Sequence, residues 1–190
     1  MKKAIGFSLV ALAFAITAAS CNNGDDKKMD SKDTAKDMND QKFDSTNKED
    51  DAKFAVTAAD GGLLEVKLGQ LAQANGSSAG VKSFGKMMVD DHSKAGDELK
   101  ALAQKYNITL PAILSDDSRK TYNDIAAKKG TDFDKAYTSD MIDDHENDIK
   151  LFQKEADKGN NAELKSWAAK TLPTLQHHLE SIKAVDNMKK

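Results

Sequence analysis

The chain has 190 residues, 31% of them charged and 39% hydrophobic, with one cysteine, two prolines and a formal net charge of −3. That length allows one ordinary domain plus short appendages. A mildly acidic chain with no basic patch is not expected to take nucleic acid as a partner, and a lone cysteine excludes an internal disulfide.

Residues 1–20 read as a secretory signal. "MKK" is a basic head, and the apolar run from Ala4 to Ala19 is too short and wrongly flanked to span a bilayer. Small residues lead directly into Cys21. This arrangement resembles a bacterial lipoprotein cleavage box, which implies lipid on Cys21 and loss of residues 1–20. Loss of Lys2 and Lys3 takes the formal charge from −3 to −5. A lipid chain anchors without spanning. The expected partner is therefore a membrane, reached through Cys21. The outer membrane of a bacterial envelope is favoured, with the domain in the periplasm or at the cell surface.

Residues 21–47 are dense in Asp, Lys, Asn and Ser and poor in aromatic and β-branched residues. Such a segment buries too little apolar surface to offset ordering entropy, so a flexible tether is expected there. The domain proper is expected at 48–187, with a tail at 188–190.

Within 48–187 apolar residues recur at helical spacing. The first long helix is expected from about Asp50 to Asn75, with Phe54, Leu64, Leu68 and Leu71 on its stripe. Gly61 and Gly62 cost about 1 kcal/mol each inside a helix, and Asp60 offers an alternative start. "NGSS" makes a turn, and Ser77 or Ser78 caps a second helix carrying Val81, Phe84, Met88, Ala95, Leu99, Leu102 and Tyr106. Between Asn107 and Gly130 a long connection holds a short helix begun by Ser115. Thr131 is expected to cap the third long helix, striped by Phe133, Tyr137, Met141, Ile149, Phe152 and Ala156 and closed by Gly159. Asn160 or Asn161 opens the fourth, with Leu164, Trp167, Leu172, Leu175, Leu179 and Ile182. Pro173 inside it withdraws one backbone donor and is expected to kink it. The fold class is all-α, a four-helix bundle with a short extra helix in its central connection.

Polar groups interrupt the stripes. "MMVDDHSKAGDEL" places His92 between Met88 and Leu99, and "DMIDDHENDIKLF" repeats the pattern with His145 between Met141 and Phe152. His178 lines up with Leu175 and Ile182, whereas His177 points toward water. Glu65 sits between Leu64 and Leu68. Along a 1.5 Å rise, Glu65 and His92 lie roughly 18 and 22 Å from the turn near Ser77, and His145 and His178 roughly 22 and 27 Å from that near Asn160. All four fall near mid-height of helices about 40 Å long.

These stretches, with "GGLLEVKLGQLA" and "LKSWAAKTLPTLQHHL", resemble the ferritin-like superfamily, and more closely a bacterial family of unknown function often labelled outer membrane protein. The resemblance spans nearly the whole domain and implies a ferritin-like bundle. Ferritins carry a Glu three residues before each metal-binding His. Here Val89, Ile142 and Leu175 stand at those positions, so a ferritin-type di-iron centre is not expected.

Three imidazoles and one carboxylate suit one transition metal, Zn, Cu or Fe. Glu65, His92, His145 and His178 are the candidate ligands. Asp91 and Asp144 are expected to orient imidazoles and Asp148 to ligate or accept a hydrogen bond. Met87, Met88 and Met141 have helical core spacing and read as packing. The competing expectation is a buried polar network that fixes register and does no chemistry. Phosphate loops, a domain cysteine nucleophile and a nucleophile elbow are all missing. The sequence therefore favours a structural or interaction module of the envelope. The alternative is a metal-binding protein with a stress or redox role, and the enzyme class left open is a metal-dependent oxidoreductase.

Overall fold

The computed structural model describes residues 30–44 and 46–187. The signal segment, Cys21 and the tail at 188–190 lie outside the described residues. Among the described residues there are six helices and no strand: α1 Ser31–Phe43, α2 Glu49–Asn75, α3 Ala79–Tyr106, α4 Asp116–Ala126, α5 Gly130–Lys158 and α6 Ala162–Asn187. The long helices form two hairpins, α2 with α3 and α5 with α6. The hairpins join through α2 against α5 and α3 against α6.

Local chemistry explains the boundaries. Ser78 accepts from the Val81 amide at 3.2 Å to start α3, and Asn107 ends it in the left-handed region at φ 59°. Ser115 caps α4 by accepting from Ser118 N. Asn161 Oδ1 caps α6 by accepting from Glu163 N and Leu164 N, both at 3.0 Å. Gly130, at φ 57°, opens α5 one residue before Thr131, the expected cap. Helix α6 runs on through Pro173 without a break.

Two expectations need correction. Helix α2 begins at Glu49 and passes straight through Gly61 and Gly62, so Asp60 does not start it. Tertiary packing offsets the glycine cost, because Ala55, Val56, Leu68 and Ala72 on this helix are all fully buried. Second, the flexible tether expected over residues 21–47 gives way to a helix at Ser31–Phe43. Asp30 caps it, accepting from Lys32 N at 2.8 Å and Asp33 N at 3.1 Å. Ala35, Asn39 and Phe43, at successive i, i+4 steps, make its buried face. Asn39 then exchanges two hydrogen bonds with the Thr109 backbone, at 2.8 and 2.7 Å. Long-range partners, rather than composition, hold this segment in place.

Three buried aspartates tie distant turns to the helices. Asp51 accepts from the amides of Asn160 and Asn161, Asp134 from those of Ser77 and Ser78, and Asp60 from Ser115 N and the hydroxyls of Ser115 and Ser118. Hydrogen bonds to an ionised carboxylate are about twice as strong as neutral ones. The Asp51 and Asp134 clamps each tie one hairpin to the turn of the other, and the Asp60 clamp ties α2 to the start of α4.

The interior divides in two. One apolar cluster includes Leu68, Val81, Phe84, Met88, Phe133, Tyr137 and Met141; the other includes Phe54, Leu99, Phe152, Leu164, Trp167 and Leu175. Between them lies a polar level.

Candidate metal centre

Each polar side chain at that level comes from a different long helix: Glu65 from α2, His92 from α3, His145 from α5 and His178 from α6. The height of the first pair follows from a close helix crossing. Gly69 and Gly85 face each other so tightly that a Cβ on either would lie 2.6–2.7 Å from the other's carbonyl oxygen. From that contact point Glu65 is one turn back along α2, and His92 is two turns on along the antiparallel α3.

Glu65, His145 and His178 are fully buried and His92 is 7% exposed. The three ring centroids lie 5.3–5.7 Å apart, and one nitrogen from each imidazole can be chosen so that all lie within 4.8 Å of one another. Phe84 closes one side, with its ring 6.2 Å from His145 and 6.4 Å from His178.

Tautomers follow from the outer contacts. His145 Nδ1 lies 2.9 Å from the Met141 carbonyl, which can only accept, so that nitrogen carries the proton and Nε2 is a bare lone pair. His178 Nε2 lies 2.9 Å from Asp91 Oδ2, so it donates to the carboxylate and Nδ1 is bare. These two bare nitrogens face each other at 3.3 Å. No proton is left to stand between them. Two ligands at 2.0–2.1 Å from a tetrahedral ion are themselves about 3.3 Å apart.

Glu65 completes the arrangement on the α2 side. Its Oε2 is 2.7 Å from His92 Nδ1 and its Oε1 is 3.5 Å from His145 Nε2, yet neither oxygen is aligned in a hydrogen bond. Carboxyl oxygens this close to two imidazole nitrogens, out of hydrogen-bond alignment, are placed to share a cation with them. The outer contacts match as well: metal-bound imidazoles hand their second N–H to a carboxylate or a backbone carbonyl.

Burial sets the charge states. It pushes His145 down to about 3, with His92 and His178 adding to the effect. It pushes His92 down to about 4 against the pull of Asp148 and Asp91, and His178 down to about 4 against its bond to Asp91. All three are neutral at pH 7, the form that ligates metal. Burial raises Glu65 well above the ordinary carboxyl range, and Asp140 adds to this. Without a cation, then, the level is uncharged, with bare nitrogens on His145 and His178 and a proton held by the Glu65 carboxyl.

The other candidates fall as follows. Asp91 orients an imidazole, but that of His178 across the helix interface, not that of neighbouring His92. Asp144 makes no hydrogen bond to a ring. Its Oδ2 is buried without a partner, and burial followed by the Glu65 charge raises its carboxyl. Asp148 is likewise raised by burial and then by Glu65. His145 is oriented by the Met141 carbonyl, a backbone group with no side-chain signature. Met88 and Met141 pack in the first apolar cluster with Met87 against it, and His177 is exposed. Asp140, raised to about 6 by burial and then by Asp143, extends the acidic row Asp140, Asp144, Asp148 along α5 at four-residue spacing. That spacing is legible in the sequence once all three are read together.

No curated protein and no solved structure matches this chain. Residues 34–185 match the family described as domain of unknown function DUF4142, and the chain belongs to that family. The match begins inside α1, in keeping with α1 as part of the folded domain.

Proposed function

We propose that this protein is a lipid-tethered bundle of a bacterial cell envelope whose core binds one transition-metal ion through His92, His145, His178 and Glu65. The observation that carries the reading is the pair of bare imidazole nitrogens facing each other at 3.3 Å, each with its other nitrogen committed to an acceptor. An uncharged polar network puts a proton between such atoms; a cation binds both. Three nitrogens and one oxygen of intermediate softness suit Zn, Cu or Fe. The metal gives the envelope role a chemistry, redox or stress-related for copper or iron.

The architecture we assign is a ferritin-like four-helix bundle. The two hairpins, the paired contacts α2–α5 and α3–α6, and the α4-bearing crossover support it. The positions three residues before each histidine hold Val89, Ile142 and Leu175, so the centre differs from a ferritin di-iron site. Attachment through lipid on Cys21 rests on the signal-like segment preceding it. The test is palmitate labelling and membrane fractionation of parent and Cys21→Ala; an unlabelled, soluble parent chain overturns it.

For the metal, the purified protein is titrated with Zn(II), Cu(II) and Fe(II), desalted and analysed for elemental content. One equivalent is expected in the parent and none in His92→Ala/His145→Ala. No stoichiometric metal in the parent overturns the reading. His92→Leu separates the alternatives further: a register-fixing network keeps or raises its melting temperature in the presence of metal, whereas a metal centre loses the metal-dependent part of its stability.

A further inference from the structure

A cleft of about 530 Å³ opens between α2, α3 and the loop at Leu110–Ala112 and reaches down to Glu65 and His92. Its size falls within the range of roughly 300–1,000 Å³ typical of small-molecule sites. Small residues make the walls. Gly62 and Gly96 line it, and a Cβ on either would meet nothing within 4 Å. These glycines therefore leave real space, unlike Gly69 and Gly85, which serve a close helix contact.

Two lining side chains carry a buried ring nitrogen with no partner: His92 Nε2 and Trp167 Nε1. Both residues are only 7% exposed. The indole nitrogen can only donate. His92 places Nδ1 2.7 Å from Glu65 Oε2, so Nε2 is the ring nitrogen left without a partner. Leaving a buried donor unpaired costs about 1–3 kcal/mol, so the indole N–H beside an apolar cleft calls for an acceptor from outside the chain. Lys100 offsets Asp97 and burial holds Asp148 toward its neutral form, so the lining suits a neutral ligand.

We propose that the cleft binds a small, neutral, mostly apolar molecule bearing a carbonyl oxygen, which accepts from the N–H of Trp167. The site shares His92 with the metal reading but needs no ion, and the test below separates the two.

Trp167 is the only tryptophan, so its emission reports on the cleft directly. 2-Acetylnaphthalene is the probe, with 2-ethylnaphthalene as a partner of similar shape lacking the oxygen. Saturable quenching at one equivalent is expected from the ketone, with binding weaker by about tenfold for the ethyl compound, the effect of one buried hydrogen bond. Gly96→Leu fills the open space, and Gly62→Leu does so from the opposite wall. Either is expected to abolish saturable quenching while keeping the parent's metal content and melting at or above the parent temperature. Trp167→Phe, followed by equilibrium dialysis, should lower affinity for the ketone and leave that for the ethyl compound unchanged. The proposal is overturned by non-saturable quenching, by equal affinity for the two probes, or by undiminished binding in both leucine variants. Metal loss in His92→Ala/His145→Ala with the cleft results intact would leave both readings standing. A parent that takes no metal but saturates with ketone would sink only the metal.

Discussion

The two apolar halves of the interior are built to different standards. In the half toward the α2–α3 turn, Val81, Met88, Phe133, Tyr137 and Met141 are completely buried, and backbones meet at Gly69 and Gly85. In the half toward the α5–α6 turn, Leu99, Phe152 and Trp167 line an open cleft, where a Cβ on Gly62 or Gly96 would meet nothing within 4 Å. The histidine level lies at their boundary. One half acts as a frame that fixes the height of Glu65 and His92, while the other leaves a path to them. Protein interiors tolerate little volume change, so glycines in the two halves should respond to substitution in opposite senses.

The contrast is broken most forcefully at Gly85. Its Cβ would sit 2.7 Å from Gly69 O and 2.8 Å from the Ala72 Cβ, so Gly85→Val must separate α2 from α3. Overpacking of this kind costs about 1–3 kcal/mol or more. With roughly 2–4 °C per kcal/mol at this chain length, thermal unfolding followed by circular dichroism should show a drop approaching 10 °C. An unchanged midpoint would mean that the crossing is not tight. Metal uptake should weaken in the same variant, because Glu65 and His92 would part.

A smaller effect is expected at the far end of the open half. Glu155 is buried with Oε1 unpartnered, and burial, then the charge of Asp51, pushes its carboxyl up to about 7. The folded chain therefore holds a proton that the unfolded chain releases near pH 4.5. This contribution to stability is complete below about pH 4.5 and is lost as pH rises through 7. Glu155→Gln should melt a few degrees above the parent at pH 8, with the gap closing near pH 5. A gap independent of pH would remove this carboxyl from the account.

The smallest change sharpens the comparison. Gly96→Ala meets no atom and gains helix propensity of about 1 kcal/mol, so it should raise the melting midpoint by about 2–4 °C. A decrease there would show that the cleft is filled in solution. Set against Gly85→Val, it gives two glycines eleven residues apart on one helix with opposite signs.

Much of this is legible in the sequence because helical period and burial coincide. The stripes of α3, α5 and α6 predict their buried residues, among them Phe84, Phe133, Leu164 and Ile182. The depth arithmetic for Glu65 and the histidines works because both hairpin turns are short and each is clamped by a carboxylate. What the sequence hides is long-range pairing. Helix α1 looks solvated residue by residue, and long-range contacts give it a place: Asn39 and Lys42 with Thr109 some seventy positions away, and Lys32 with Asp60. Asp91 appears to serve His92 beside it, yet on a helix adjacent residues diverge by about 100°, which turns Asp91 toward His178 on α6. The Met141 carbonyl is invisible to any reading of side chains. The open cleft is hidden for the same reason: Gly62 and Gly96 look like the tight-packing Gly69 and Gly85 until their surroundings are known.

The docking of α1 also changes the geography of attachment. With α1 capped at Asp30, only eight residues separate Cys21 from the folded body. Fully stretched, they reach about 30 Å. A lipid on Cys21 would therefore hold the protein on a short leash, hugging the bilayer within about its own length, and neighbours in the same leaflet would be its natural company.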